Sequence, residues 1–194
     1  MTVYLLKNIS NSNRKQKNSL IYKHMNYTKE SILSAINEYY YSLEKTLINL
    51  DSHELHWKPN IESNNIVFLV WHMSLVEDNL INKVLGKKER IWITQDYYKM
   101  YPSLKNETGY GFNLQQLKDF PIIDIKWLMG YFEKVRNTTN KMIKKLTEED
   151  LNNDFQFGSK KVKGFWVLGR LIVEESQHLG QIAYIRGMLK GLNQ

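Results

Sequence analysis

The stretch from Leu168 to Leu192, LGRLIVEESQHLGQIAYIRGMLKGL, constrains the fold more than any other. Its apolar residues Leu171 and Ile172 lie three and four positions after Leu168, and Ile185 and Leu189 three and seven after Ile182, which keeps each group on one face of one long helix. Glu174 and His178 share that face, four positions apart, the separation at which helical side chains are neighbours. A carboxylate and an imidazole that reach one point beside an apolar stripe suit a metal site better than a solvated surface pair.

Three further segments read as long helices. A first helix runs from about Thr28 to Leu50, with Asn26 and Thr28 as candidate caps and Ile32, Ile36, Leu43, Leu47 and Leu50 as its stripe. DSHELHWKPN breaks it, because Pro59 cannot continue a helix. Ser63 or Asn64 caps a second helix from about Asn65 to Leu85, and Gly86 ends it. The first half of this helix, IVFLVWHMSLVED, is apolar nearly all round and therefore buried, with His72 in its middle. A third helix follows Pro121, from about Ile122 to Leu146, with Ile125, Leu128, Met129, Phe132, Val135 and Ile143 on its face. Thr147 to Asp150 opens a further turn in capping-box style, and DFQFGSKKVKGF alternates around a Gly-Ser turn as a short hairpin or extended loop.

Residues 87–120 are rich in aromatics, with Trp92, Tyr97, Tyr98, Tyr101, Tyr110 and Phe112 too many for a free linker. They read as a long crossover with short helical pieces packed over one end of the helices. The class that follows is all-α, a four-helix bundle with a long crossover between helices 2 and 3.

A length of 194 residues suits one domain. The absence of cysteine excludes disulfides, thiolate metal sites and a cysteine nucleophile, and is compatible with a cytoplasmic location, the expected one. No run of eighteen apolar residues exists, so no spanning helix and no membrane partner are expected. MTVYLLKNIS has an apolar patch but neither a basic lead-in nor a cleavage site, so no secretory signal is read there. The net charge of +7 is uneven: Lys7, Arg14, Lys15, Lys17 and Lys23 supply +5 of it within residues 1–24, where no acid stands. Residues 1–24 are expected to be a basic, disordered extension and residues 25–194 the folded domain, for which Met25 is a natural start. A near-balanced body with a basic tail is not a basic groove, which argues against nucleic acid as a partner.

In such a bundle a buried helix with a central histidine can face the helix that carries Glu-x-x-x-His. His72, Glu174 and His178 would then offer two imidazoles and one carboxylate to a divalent ion, with open positions for water or substrate. Zn, Ni, Fe and Mn all suit that set, and affinity alone does not choose among them. Each residue has a plainer reading. A lone core histidine is more often simply hydrogen bonded, and Glu174–His178 alone is an ordinary i,i+4 ion pair. Their joint placement is what favours the ion, since buried charges need partners. Glu77, five positions past His72, falls on another face and is a poor candidate for a general acid or base.

With Trp57-Lys58-Pro59, the helix IVFLVWHMSLVED and the terminal EESQHLGQIAYIRGMLKG, the chain resembles the DinB/YfiT-like family of metal-dependent bundles from about Asn26 to Gly191. His178-Leu179-Gly180-Gln181-Ile182 is the most specific part of the likeness. The family pattern places one metal-binding histidine on the second helix, which His72 matches, and a His-x-x-x-His pair on the fourth, of which His178 is the second member. Glu174 departs from it by standing where the first histidine of the pair belongs, as in the branch of mycothiol-dependent maleylpyruvate isomerases, and so hardens the ligand set. The resemblance implies a divalent-metal-dependent enzyme acting with a low-molecular-weight thiol, as an S-transferase, isomerase or hydrolase. The other reading is a non-catalytic metal- or ligand-binding bundle. Gln181 is placed to orient a ligand or bound water, Gly180 to allow close helix approach, and Trp92 and Tyr97 to wall a pocket, packing being the plainer role of all four. Such bundles often pair through helix faces, so a homodimer is expected, by a face the sequence does not single out.

Overall fold

The computed structural model of the chain describes residues 27–191. The basic stretch over residues 1–24 lies outside them. Four long helices follow in order: α1 (27–47), α3 (Ile66–Asp78), α6 (Ile125–Lys145) and α8 (Gly164–Lys190). α3 continues as a π-helical stretch over Asn79–Leu85. Short helices lie between them: α2 (Ser52–His56), α4 (Ile91–Thr94), α5 (Leu114–Lys118) and α7 (Glu148–Asn152). One antiparallel hairpin, β1 (Asp154–Phe157) and β2 (Lys160–Lys163), pairs Asp154 with Lys163 and Phe157 with Lys160. The all-α class is as expected, and so is a long crossover between the second and third long helices.

Local chemistry sets the boundaries. α3 starts one residue later than expected because Asn65, not Ser63 or Asn64, takes the amide of Phe68 at 2.8 Å. α6 starts at Ile125 rather than Ile122, since Asp124 accepts from Trp127 N at 2.7 Å. Inside DSHELH, where a plain break was expected, Asp51 and Glu54 close a capping box around α2. Thr147 and Asp150 form the expected box at α7.

α3 is the centre of the molecule: every residue in it except Val76 is buried. Its all-round apolar surface is satisfied by packing against α6 and α8 as well as the crossover. One apolar cluster gathers Leu43, Leu69, Trp71, Phe132 and Ile182 from the four long helices. A second gathers Ile36, Leu80, Ile143, Leu171 and Phe155.

Two buried polar groups pin this core. Arg136 of α6 holds both Glu77 of α3 and Glu175 of α8 through Nη2, each at 2.7 Å, while Nη1 donates to the Ile36 carbonyl of α1. One guanidinium thus ties all four long helices together. Burial pushes the Glu175 carboxyl up to about 8 against the pull of Arg136, and the neighbouring Glu77 charge adds to the rise. A proton on Glu175 relieves the repulsion between two carboxylates sharing one cation. Asp78, next to Glu77, accepts from Asn82 Nδ2 and Ile91 N through Oδ1, and from Trp92 N and Tyr131 Oη through Oδ2, at 2.7–3.0 Å. It thereby anchors the start of the crossover to α3.

Candidate metal centre

His72 sits on the stretch of α3 that faces α8, and α8 presents Glu174 and His178 one turn apart. Glu174 Oε2 stands 3.1 Å from His178 Nε2 and 3.7 Å from His72 Nε2. One donor atom from each of the three residues lies within 4.8 Å of the other two. His72 and Glu174 are buried and His178 is half-buried.

The far sides of both imidazoles are engaged. His72 Nδ1 is 2.5 Å from the carbonyl oxygen of Thr108 in the crossover, and His178 Nδ1 is 2.8 Å from Gln181 Oε1. A carbonyl oxygen only accepts, so each Nδ1 carries the hydrogen and each Nε2 is left to act at Glu174. The second carboxylate oxygen of Glu174, Oε1, accepts from Arg170 Nη2. Glu174 therefore turns a single oxygen towards the two imidazoles.

Burial opposes ionisation of Glu174, but the hydrogen bond from His178, the nearby His72 imidazole and the Arg170 guanidinium outweigh it and hold the carboxyl well below the usual range. Burial likewise opposes protonation of His178, yet its bonds to Glu174 and Gln181 raise it above the ordinary imidazole value. Without an ion, a proton on His178 Nε2 balances the Glu174 charge. The donor set, two neutral-capable imidazole nitrogens and one carboxylate oxygen, is arranged so that a divalent cation can replace that proton.

A cavity of 420 Å³ opens beside the cluster. His72, Glu174 and Arg170 line one end, and Val76, Leu80, Tyr110, Phe157 and Trp166 supply most of its wall. A larger depression of 610 Å³ lies elsewhere, among Lys83, Lys87, Lys88 and Lys161, with none of the three clustered residues in its lining.

The expected residues thus divide. His72, Glu174 and His178 come together, and Gln181 contacts His178. Trp92 and Tyr97 do not wall the cavity. Trp92 is fully buried, and both rings pack on Trp127 and Tyr131, at centroid distances of 4.8–6.1 Å. Asp78 draws the Ile91 and Trp92 amides inward, which carries that part of the crossover into the core. The crossover reaches the cavity through Thr108 and Tyr110 instead. Gly180 supports no close helix contact: it is exposed, and a Cβ placed there would meet nothing within 4 Å. At the site itself, the glycine that permits a close approach is Gly109. Its φ is +85°, and an added Cβ would lie 2.8 Å from Trp71 and 3.2 Å from His72 Nδ1.

Arg170 and Trp166 were legible but unread. Trp166, Arg170, Glu174 and His178 recur every fourth residue along α8, so one helical stripe carries the cavity wall, the cation, the carboxylate and the imidazole. Phe157 and the carbonyl of Thr108 left no comparable signal, because a hairpin and a loop bring them in from elsewhere.

A family model described as the DinB superfamily matches residues 37–182. The fold is similar to that of a conserved protein from Enterococcus faecalis known from its crystal structure, with a TM-score of 0.73 and 20% identity. That likeness covers 84% of this chain and 96% of the other and concerns the fold alone. Among proteins with curated descriptions, none matches.

Proposed function

The chain belongs to the DinB superfamily, and on that premise we propose that it is a divalent-metal-dependent enzyme acting with a low-molecular-weight thiol, as a transferase, isomerase or hydrolase. The observation that carries the reading is the convergence of His72 Nε2 and His178 Nε2 on one oxygen of Glu174, with both Nδ1 atoms already engaged.

His72, Glu174 and His178 would hold the ion, Zn, Ni, Fe or Mn, and three protein ligands leave positions for a further molecule. Bound there, a Lewis-acidic ion lowers the pKa of a thiol or water at neutral pH. The protein's own groups do the rest. Thr108 fixes the tautomer and ring orientation of His72, and Gln181 does the same for His178. Arg170 holds Glu174 Oε1 and so favours one-oxygen ligation. The apolar wall excludes water from the space where a thiol and its partner would meet.

A second reading, a metal- or ligand-binding scaffold without catalysis, has one observation in its favour. Among the described residues, the lining of the cavity offers no carboxylate or imidazole beyond Glu174 and His72 to serve as a separate acid or base. Elemental analysis of protein purified without added metal, beside His72→Ala, Glu174→Ala and His178→Ala, tests the site. About one equivalent of Zn, Ni, Fe or Mn that disappears in the variants is expected. Variants that keep a full equivalent after chelator treatment would refute the assignment, and turnover of thiol substrates by the loaded protein separates enzyme from scaffold.

A further inference from the structure

The charges at the cavity are already spent on each other. Arg170 and Glu174 are paired, His178 answers the other Glu174 oxygen, and the remaining polar side chains in the lining are the neutral Asn79, Thr108 and Tyr110. In the metal-free protein a ligand carboxylate or ammonium drawn into this space would lose its hydration and find no unpaired counter-charge among the described lining residues. An aromatic or branched alkyl group would lose nothing polar and gain contact with Val76, Leu80, Phe157 and Trp166.

The mouth repeats the message. Phe157 from the hairpin and Trp166 from α8 pack as a tilted pair with centroids 5.3 Å apart. Trp166 is 38% exposed, and Tyr110 in the same lining is 86% exposed. These large rings are left open to solvent at a cavity that meets the buried cluster. A space of 420 Å³ lies within the range of sites for small organic molecules.

We propose that the cavity binds a small, predominantly apolar organic molecule, aromatic or branched alkyl, with one donor group turned to Glu174 and any charged group left outside the mouth. Trp166, Phe157 and Tyr110 determine that specificity. The placement of the donor group rests on the metal reading above; the selection of an apolar body does not.

Fluorine NMR titration of the metal-free protein with para-fluorotoluene tests the apolar body alone. Saturable binding is expected, weakened about tenfold or more by Trp166→Ala, the change expected from about 55 Å² of lost apolar contact. Tyr110→Ala, at a side chain too exposed to matter for folding, should weaken it to a lesser degree. Mercaptosuccinate, a thiol with two carboxylates, should not displace the probe. No saturable binding, affinity unchanged in both variants, or displacement by mercaptosuccinate would each overturn the proposal. In a second arm, para-fluorobenzyl thiol should bind the metal-loaded protein more tightly than the metal-free one. Failure of that gain alone would count against the donor placement and the metal reading, with the apolar selection left standing on the first arm.

Discussion

Arg136→Met is the sharpest test of what holds the four long helices in place. Methionine fills much of the arginine stem's volume but removes the guanidinium that sits 2.7 Å from both Glu77 and Glu175. Glu175 already favours its protonated form at neutral pH, so the substitution leaves one further buried carboxyl without a cation. Keeping a carboxyl with an ordinary value of 4.5 neutral at pH 7 costs about 3 kcal/mol. Lost hydrogen bonds, including that to the Ile36 carbonyl, add about 1 kcal/mol. The expected loss is therefore about 4 kcal/mol at pH 7, in line with other broken buried ion pairs. At pH 5 the protonation cost shrinks to about 1 kcal/mol and the loss to about 2 kcal/mol. Urea denaturation of both proteins at the two pH values measures it. The triple variant Arg136→Met, Glu77→Met, Glu175→Met, which removes every charge of the group, should recover most of the stability. A single variant that loses under 1 kcal/mol, or a triple variant no better than the single, would refute the account.

Three further outcomes are expected. Gly109→Ala should lower stability by about 2 kcal/mol and weaken metal binding, because the backbone that carries the Thr108 carbonyl to His72 must move away; elemental analysis and thermal melts read both. Gly180→Ala should leave metal content unchanged and raise stability by up to about 1 kcal/mol, since the new methyl meets nothing and the helix gains propensity. In metal-free protein, the raised His178 value adds stability that is complete below the ordinary 6.5 and is lost as pH rises through the folded-state value. The depressed Glu174 value adds stability that is present above the ordinary 4.5 and lost as pH falls through its folded-state value. Denaturation curves of wild type and His178→Gln should therefore converge on the alkaline side, and a difference that persists unchanged there would contradict the geometry.

The period of the four long helices made the all-α class and the buried position of His72 legible, because a helix apolar all round has few places to go. Glu174 and His178 were legible for a related reason, as local spacing on one helix fixes their relation. What stayed hidden depends on contacts between distant segments. Arg136 and Tyr131 lie on the buried face of α6 beside expected apolar positions, but their meaning comes from Glu77, Glu175 and Asp78 on other helices. Trp92 and Tyr97 show the same limit. An aromatic crossover was a sound signal for a packed connection, yet which of its rings faced the site depended on Asp78 capturing the Ile91 and Trp92 amides.

Glu174 and Glu175 are adjacent in sequence, and one reaches the histidines while the other is held by Arg136. Neighbouring residues on a helix point about 100° apart, so the two carboxylates act like two keys cut on one shaft. Any roll of α8 about its axis that shifted Glu174 would pull Glu175 from its guanidinium. The angular setting of the candidate site is thus fixed from another face of the helix, by a buried guanidinium that does not line the cavity. Selection on ligand chemistry at Glu174, including its exchange for histidine, can proceed without disturbing that bearing, whereas drift at Glu175 would detune the site without touching it.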